Sequence, residues 1–110
     1  MNLTMIEQKI INQLTNVGQR INTIHKIILF GSRAVGDYTL KSDIDLAFVA
    51  PNMTKEEWVE LTFALEEELD TLLFLDLIKY EDAPEELKEE ILKSGRVIYS
   101  EGAVIDKKTS

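Results

Sequence analysis

Residues 26–49 read KIILFGSRAVGDYTLKSDIDLAFV: a short apolar run, a polar connector, and a second apolar run headed by two aspartates. Ile27, Ile28, Leu29 and Phe30 are stopped by Gly31, which suits a buried strand beginning at His25 or Lys26 better than a helix. Ile44 to Val49 alternates with Asp43 and Asp45 before becoming apolar, and Pro51 with Asn52 closes it, so a second strand is expected there. Between them, Gly31 to Ser42 reads as a connector with a helical turn in its first half.

Working outward, Thr4 and Glu7 have the spacing of a capping box. Ile6, Ile10, Leu14 and Val17 then recur at helical intervals, predicting a helix to about Gly18. On the other side, Thr54 and Glu57 form a second capping box and open a helix with Trp58, Leu61, Leu65 and Leu69 along its inner stripe. Leu72 to Ile78 is a third strand candidate, and after the turn at Glu81 to Ala83, Pro84 sits at a favoured first helical position for a helix ending near Gly95. Val97 to Tyr99 adds a last short strand. The order α, β, β, α, β, α, β implies an α/β (α+β) fold, a small mixed sheet with helices packed on it. Residues 1–102 are expected to form one domain and 103–110 a flexible tail.

The 110 residues suffice for one core but not for a second domain with its own substrate pocket, so an acceptor would dock from outside. With 45% hydrophobic and 29% charged residues, the chain has the profile of a soluble globular protein. Cysteine is absent, which removes disulfides and thiolate zinc sites and leaves oxygen ligands or the lone His25, so that hard cations such as Mg²⁺ are favoured. Neither a signal peptide nor a membrane-spanning run is visible, so the cytoplasm is the expected location. A net charge of −8 argues against direct nucleic-acid binding through phosphate neutralisation and favours a basic protein partner.

The chemistry concentrates in Gly31, Ser32, ten intervening residues, then Asp43 and Asp45. A Gly-Ser pair after a buried strand and at the start of a helical turn offers backbone N–H groups and a hydroxyl to a phosphate. Asp43 and Asp45 stand two apart on a predicted strand, so both carboxylates project to one side, where a Mg²⁺ ion carrying triphosphate oxygens would relieve their repulsion. Asp76 stands within the apolar run Leu72 to Ile78, where an unpaired buried carboxylate costs roughly 2 kcal/mol or more. Should its strand lie beside that of Asp43 and Asp45, the three carboxylates would share one sheet face and supply metal ligands together with a group able to take a proton.

The stretch GSRAVGDYTLKSDIDLAFV, with Asp76 further on, resembles the DNA polymerase beta-like nucleotidyltransferase superfamily and, within it, the minimal nucleotidyltransferases; the resemblance covers nearly the whole chain. It implies that Gly31 and Ser32, with Arg33 beside them, bind the nucleotide, that Asp43, Asp45 and Asp76 are metal ligands and catalytic residues, and that Mg²⁺ and ATP are cofactor and substrate. Many minimal members are antitoxins encoded beside a HEPN-domain ribonuclease toxin. The resemblance therefore implies transfer of AMP, or another NMP, to a hydroxyl, such as a tyrosine of that toxin. A non-catalytic antitoxin that neutralises the HEPN partner by binding is the alternative. Members often carry a basic residue after Gly-Ser-Arg-Ala; this chain has Val35 there, with Arg33 and Lys41 nearby.

The remaining conspicuous residues read as structural. His25 precedes a strand with no second ligand in view, Trp58 falls at core spacing, and Asp37 and Tyr38 read as turn residues. Glu85, Glu86, Glu89 and Glu90 form an acidic helix face, read as solvated, with docking of a basic partner as the alternative.

Overall fold

The computed structural model describes residues 6–102. Helix α1 (Gln8–Arg20) leads to strand β1 (Lys26–Phe30), the one-turn helix α2 (Ser32–Val35), β2 (Ile44–Val49), α3 (Lys55–Glu68), β3 (Leu75–Lys79), a 3₁₀ turn (Tyr80–Asp82), α4 (Glu85–Ser94) and β4 (Arg96–Ser100). This is the order expected from the sequence. The capping residue expected at Thr4 lies outside the described residues.

The four strands form one mixed sheet in the order β3-β2-β1-β4. The short connector around α2 lets β1 and β2 pair antiparallel, with Phe30 opposite Asp45, whereas the crossover through α3 returns β3 parallel to β2. β4 pairs antiparallel with β1 on the far side, with a register irregularity between Ile27 and Ile28.

Strand alternation assigns the two faces. Ile27, Leu29, Ile44, Leu46 and Phe48 join Ile10, Leu14 and Val17 of α1 and Leu61 and Leu65 of α3 in the main core. Ile28, Phe30 and Ala47 point the other way, onto Ile91 of α4. The predicted stripe of α3 is therefore its buried face, and Trp58 packs partly buried on that core with its ring edge-to-face on Phe48 at 5.6 Å. The capping box opens α3 as expected: Glu57 N donates to Thr54 Oγ1 at 3.1 Å and Thr54 N to Glu57 Oε1 at 2.9 Å, an arrangement worth about 1 kcal/mol. Gly18 lets α1 lie against β4, since a β-carbon there would stand 2.5 Å from Tyr99 Cδ2.

Several boundaries differ from the sequence reading. Glu7 is the N-cap of α1, with no side-chain cap bond, instead of the third residue of a helix opened by Thr4, and Asp43 precedes β2 instead of lying on it. Leu72 to Phe74 precede β3 instead of belonging to it, and Leu72 and Phe74 are exposed. Pro84 caps α4 from outside the helix instead of starting it. Among the described residues no helix is long and apolar enough to cross a membrane.

Candidate active site

The sheet order brings Gly31, Asp45 and Asp76 to one end of the molecule. Parallel pairing of β2 with β3 sets Asp45 directly beside Asp76, and antiparallel pairing of β1 with β2 sets Asp45 across from Phe30, the residue before Gly31. By alternation these two carboxylates lie on the α4 side of the sheet, opposite the main core.

Gly31 is required by this arrangement. Its φ of 76° lies in the left-handed region, and a β-carbon there would overlap Asp45 Oδ2. The backbone thus passes directly against a carboxylate and then turns into α2, whose first residue is Ser32. The close approach that the sequence suggested for a phosphate is made by the Asp45 side chain.

Asp45 is only partly buried, yet its carboxyl is pushed up to about 6 from a usual 3.8. Desolvation is the first cause. The adjacent Asp76 carboxyl follows, repelling the Asp45 anion and hydrogen-bonding its protonated form, and Asp43 adds a weaker repulsion; Arg33 pulls in the opposite direction.

Asp43 precedes the first residue of β2 and is exposed. Its backbone is held from both sides: Ile44 N donates to Phe74 O at 2.9 Å, and the Ser42 carbonyl accepts from Arg33. Asp76 corrects the argument made for it from sequence. It is exposed, on an edge strand, and does not carry the cost of a buried carboxylate; the apolar residues around it are only partly buried or exposed.

Arg33 is also placed differently from the sequence reading, which put it on the nucleotide. The guanidinium is buried beneath the loop joining α2 to β2, donating to carbonyls of Thr39, Leu40 and Ser42, with the Tyr38 ring 5.0 Å away. The sequence reading missed Tyr38, taken as a plain turn residue, and Arg96, whose Nε donates to Ala34 O at 3.2 Å and braces α2 from β4. Nothing local marked Arg96; it acts across 62 positions of chain. His25 lies before β1, at the end of that strand away from Gly31, with Nδ1 3.6 Å from Glu101 Oε2.

Among the described residues no three His, Asp or Glu side chains form a ready-made cation cage. The donor set still fits magnesium, which binds through one or two carboxylates together with water and substrate phosphates instead of an all-protein cage. The repulsion from Asp76 and Asp43, which adds to desolvation in raising Asp45, is of the kind a divalent cation would relieve.

The sequence profile of the polymerase beta nucleotidyltransferase family matches residues 12–103. Among solved structures, a toxin–antitoxin MntA–HpeT point variant is similar at 26% identity and a TM-score of 0.64, over 88% of this chain and 76% of that one. A toxin–antitoxin with AMP-PNP aligns at 23% identity and a TM-score of 0.61, over 89% of this chain and 78% of that one. A complex of a tri-AMPylated Shewanella oneidensis HEPN toxin with its MNT antitoxin aligns at 21% identity and a TM-score of 0.58, over 94% and 79% of the respective chains. Curated protein sequences gave no match.

Proposed function

The chain belongs to the polymerase beta nucleotidyltransferase family, and we propose that it is a magnesium-dependent protein adenylyltransferase, a minimal antitoxin that moves AMP from ATP to a tyrosine hydroxyl of a HEPN-domain toxin. The observation that carries this reading is the facing pair Asp45 and Asp76 packed against the Gly31 turn. The similarity to antitoxin structures, one of them with a tri-AMPylated HEPN toxin and another with AMP-PNP, supports the acceptor class and the nucleotide. The cytoplasm is the location consistent with it.

In this reading Gly31 and Ser32 face the triphosphate, with the Ser32 hydroxyl and the backbone N–H groups of the turn as donors. Asp43 and Asp45 would hold Mg²⁺ together with the triphosphate oxygens, with Asp76 alongside as the further carboxylate. When bound, the ion supplies charge neutralisation for the attacking and leaving oxygens of an in-line displacement. Asp76, the most open of the pair, accepts the acceptor's proton as its oxygen bonds to the α-phosphorus, and the bond to the β-phosphate oxygen breaks to release pyrophosphate. Arg33 contributes through the loop that carries Asp43, without touching phosphate.

Leu40, Leu72 and Phe74, exposed on the loops at this end of the sheet, favour a protein acceptor over a small polar one. The same apolar side chains would also serve an antitoxin that neutralises by binding alone, which predicts neutralisation that survives loss of Asp43 and Asp45. Pyrophosphate release on mixing the protein with ATP, Mg²⁺ and a HEPN toxin separates the two. Release that is lost in Asp45→Asn supports transfer, and its absence from the unmodified protein in a stable complex supports binding.

A further inference from the structure

One buried charge joins the two halves of the candidate site. Among the described residues Arg33 is the only charged side chain in the buried set, 4% exposed, and a guanidinium taken out of water needs its donors satisfied. Its Nε and one terminal nitrogen both donate to Ser42 O, at 3.1 and 3.0 Å, and the same nitrogen reaches Thr39 O and Leu40 O at 3.3 Å each. The loop it gathers is closed on itself, with Thr39 N donating to Ser42 Oγ at 2.9 Å and Ser42 N to Thr39 O at 3.1 Å.

We propose that Arg33 is a positioning residue for cation and nucleotide binding: by clamping the Ser42 carbonyl it fixes the peptide plane from which Asp43 departs and ties that plane to the Gly31–Ser32 turn. The inference rests on the transferase reading above. Ser42 O belongs to the peptide unit that ends at Asp43 N, so holding that oxygen fixes the direction in which the exposed Asp43 side chain leaves the chain. Arg33 itself sits in α2, next to Ser32, so the phosphate-facing turn and the first carboxylate move as one unit. A lysine keeps the charge but lacks the planar fork that reaches several carbonyls at once.

The test uses Mn²⁺ as the probe cation, followed by the loss of its free-ion electron paramagnetic resonance signal beyond the loss caused by a non-hydrolysable ATP analogue without protein, with circular dichroism confirming the fold. Arg33→Lys is expected to weaken Mn²⁺ binding by about tenfold, the size of losing one or two well-placed hydrogen bonds. Because Arg33 acts through Asp43, the double variant Arg33→Lys/Asp43→Ala is expected to bind no more weakly than Asp43→Ala alone. A purely structural Arg33 would lower the melting temperature and leave Mn²⁺ affinity of the folded fraction unchanged; that result, or additive losses in the double variant, overturns the proposal. A wild-type protein that binds no Mn²⁺ with the analogue removes the transferase reading and this inference together, an outcome distinct from an Arg33→Lys variant that matches a binding wild type. If Arg33→Lys does not fold, Ser42→Ala loosens the same loop by removing the Thr39 N bond, and is expected to weaken Mn²⁺ binding about threefold; unchanged affinity there counts against the proposal equally.

Discussion

Replacing Asp45 by Asn is expected to stabilise the metal-free protein at neutral pH while destroying the site. The carboxyl titrates near 6 in the folded chain against a usual 3.8, so the native state holds its proton more tightly than the unfolded state does. The stability Asp45 contributes is therefore greatest below about pH 4, falls as pH rises from about 4 to about 6, and stays low above that. Taken whole, the shift corresponds to about 3 kcal/mol. Asp45 is only partly buried, and solvent screening reduces this to about 1 kcal/mol. Asparagine keeps the shape and a hydrogen-bond donor for Asp76 but carries no charge. In EDTA at pH 7.5 the variant should melt higher than the wild type by about 4–8 °C, and at pH 4 the two should coincide. Thermal unfolding followed by circular dichroism at both pH values reads this directly, because every other carboxylate is common to the two proteins. A variant that melts lower at pH 7.5, or gains equally at both pH values, would refute the electrostatic account of the pair.

Three further perturbations follow from the same geometry. Gly31→Ala forces a side chain into a left-handed backbone and into Asp45 Oδ2, so a loss of about 2 kcal/mol or more in chemical denaturation is expected, and an unchanged midpoint would show that the turn tolerates a β-carbon. Asp76→Asn removes an exposed proton acceptor and one of the charges that repel Asp45, so transfer should fall about 10²–10⁴-fold with a melting temperature at pH 7.5 no lower than that of the wild type, and near-wild-type turnover would take the general-base role away from Asp76. Ile91→Ala empties the buried contact that fastens α4 to Ile28, Phe30 and Ala47; about 2–5 kcal/mol should be lost in denaturant titrations, and a loss under 1 kcal/mol would mean that α4 is held by other contacts.

Much of the architecture was readable because local signals agreed with one another. The apolar run Ile27 to Phe30 stopped by Gly31, the alternation from Asp43 into Val49 and the Thr54–Glu57 capping box each found their element. The meeting of Asp45 with Asp76 followed once β2 and β3 were taken as neighbours. Asp76 was misjudged in its surroundings because an apolar run looks the same on a central strand and on an edge; sheet order, a long-range property, leaves one side of β3 uncovered. Arg33 and Arg96 were opaque for a related reason: the bonds that hold them include ones to backbone carbonyls, which carry no residue identity and so leave no pattern to read. Asp43 was expected on the strand with Asp45; it precedes β2, and its influence on Asp45 is a weaker, through-space repulsion.

The central claim is that this site transfers AMP to a protein hydroxyl. Intact mass spectrometry of a HEPN toxin encoded beside this chain, after incubation with the protein, ATP and Mg²⁺, tests it most directly, with Asp43→Asn and Asp45→Asn run in parallel. The expected result is a toxin heavier by whole AMP units with the unmodified protein and unchanged with either variant. A toxin of unaltered mass that is nonetheless neutralised, equally by wild type and variants, would contradict the account and assign the chain to antitoxins that act by binding.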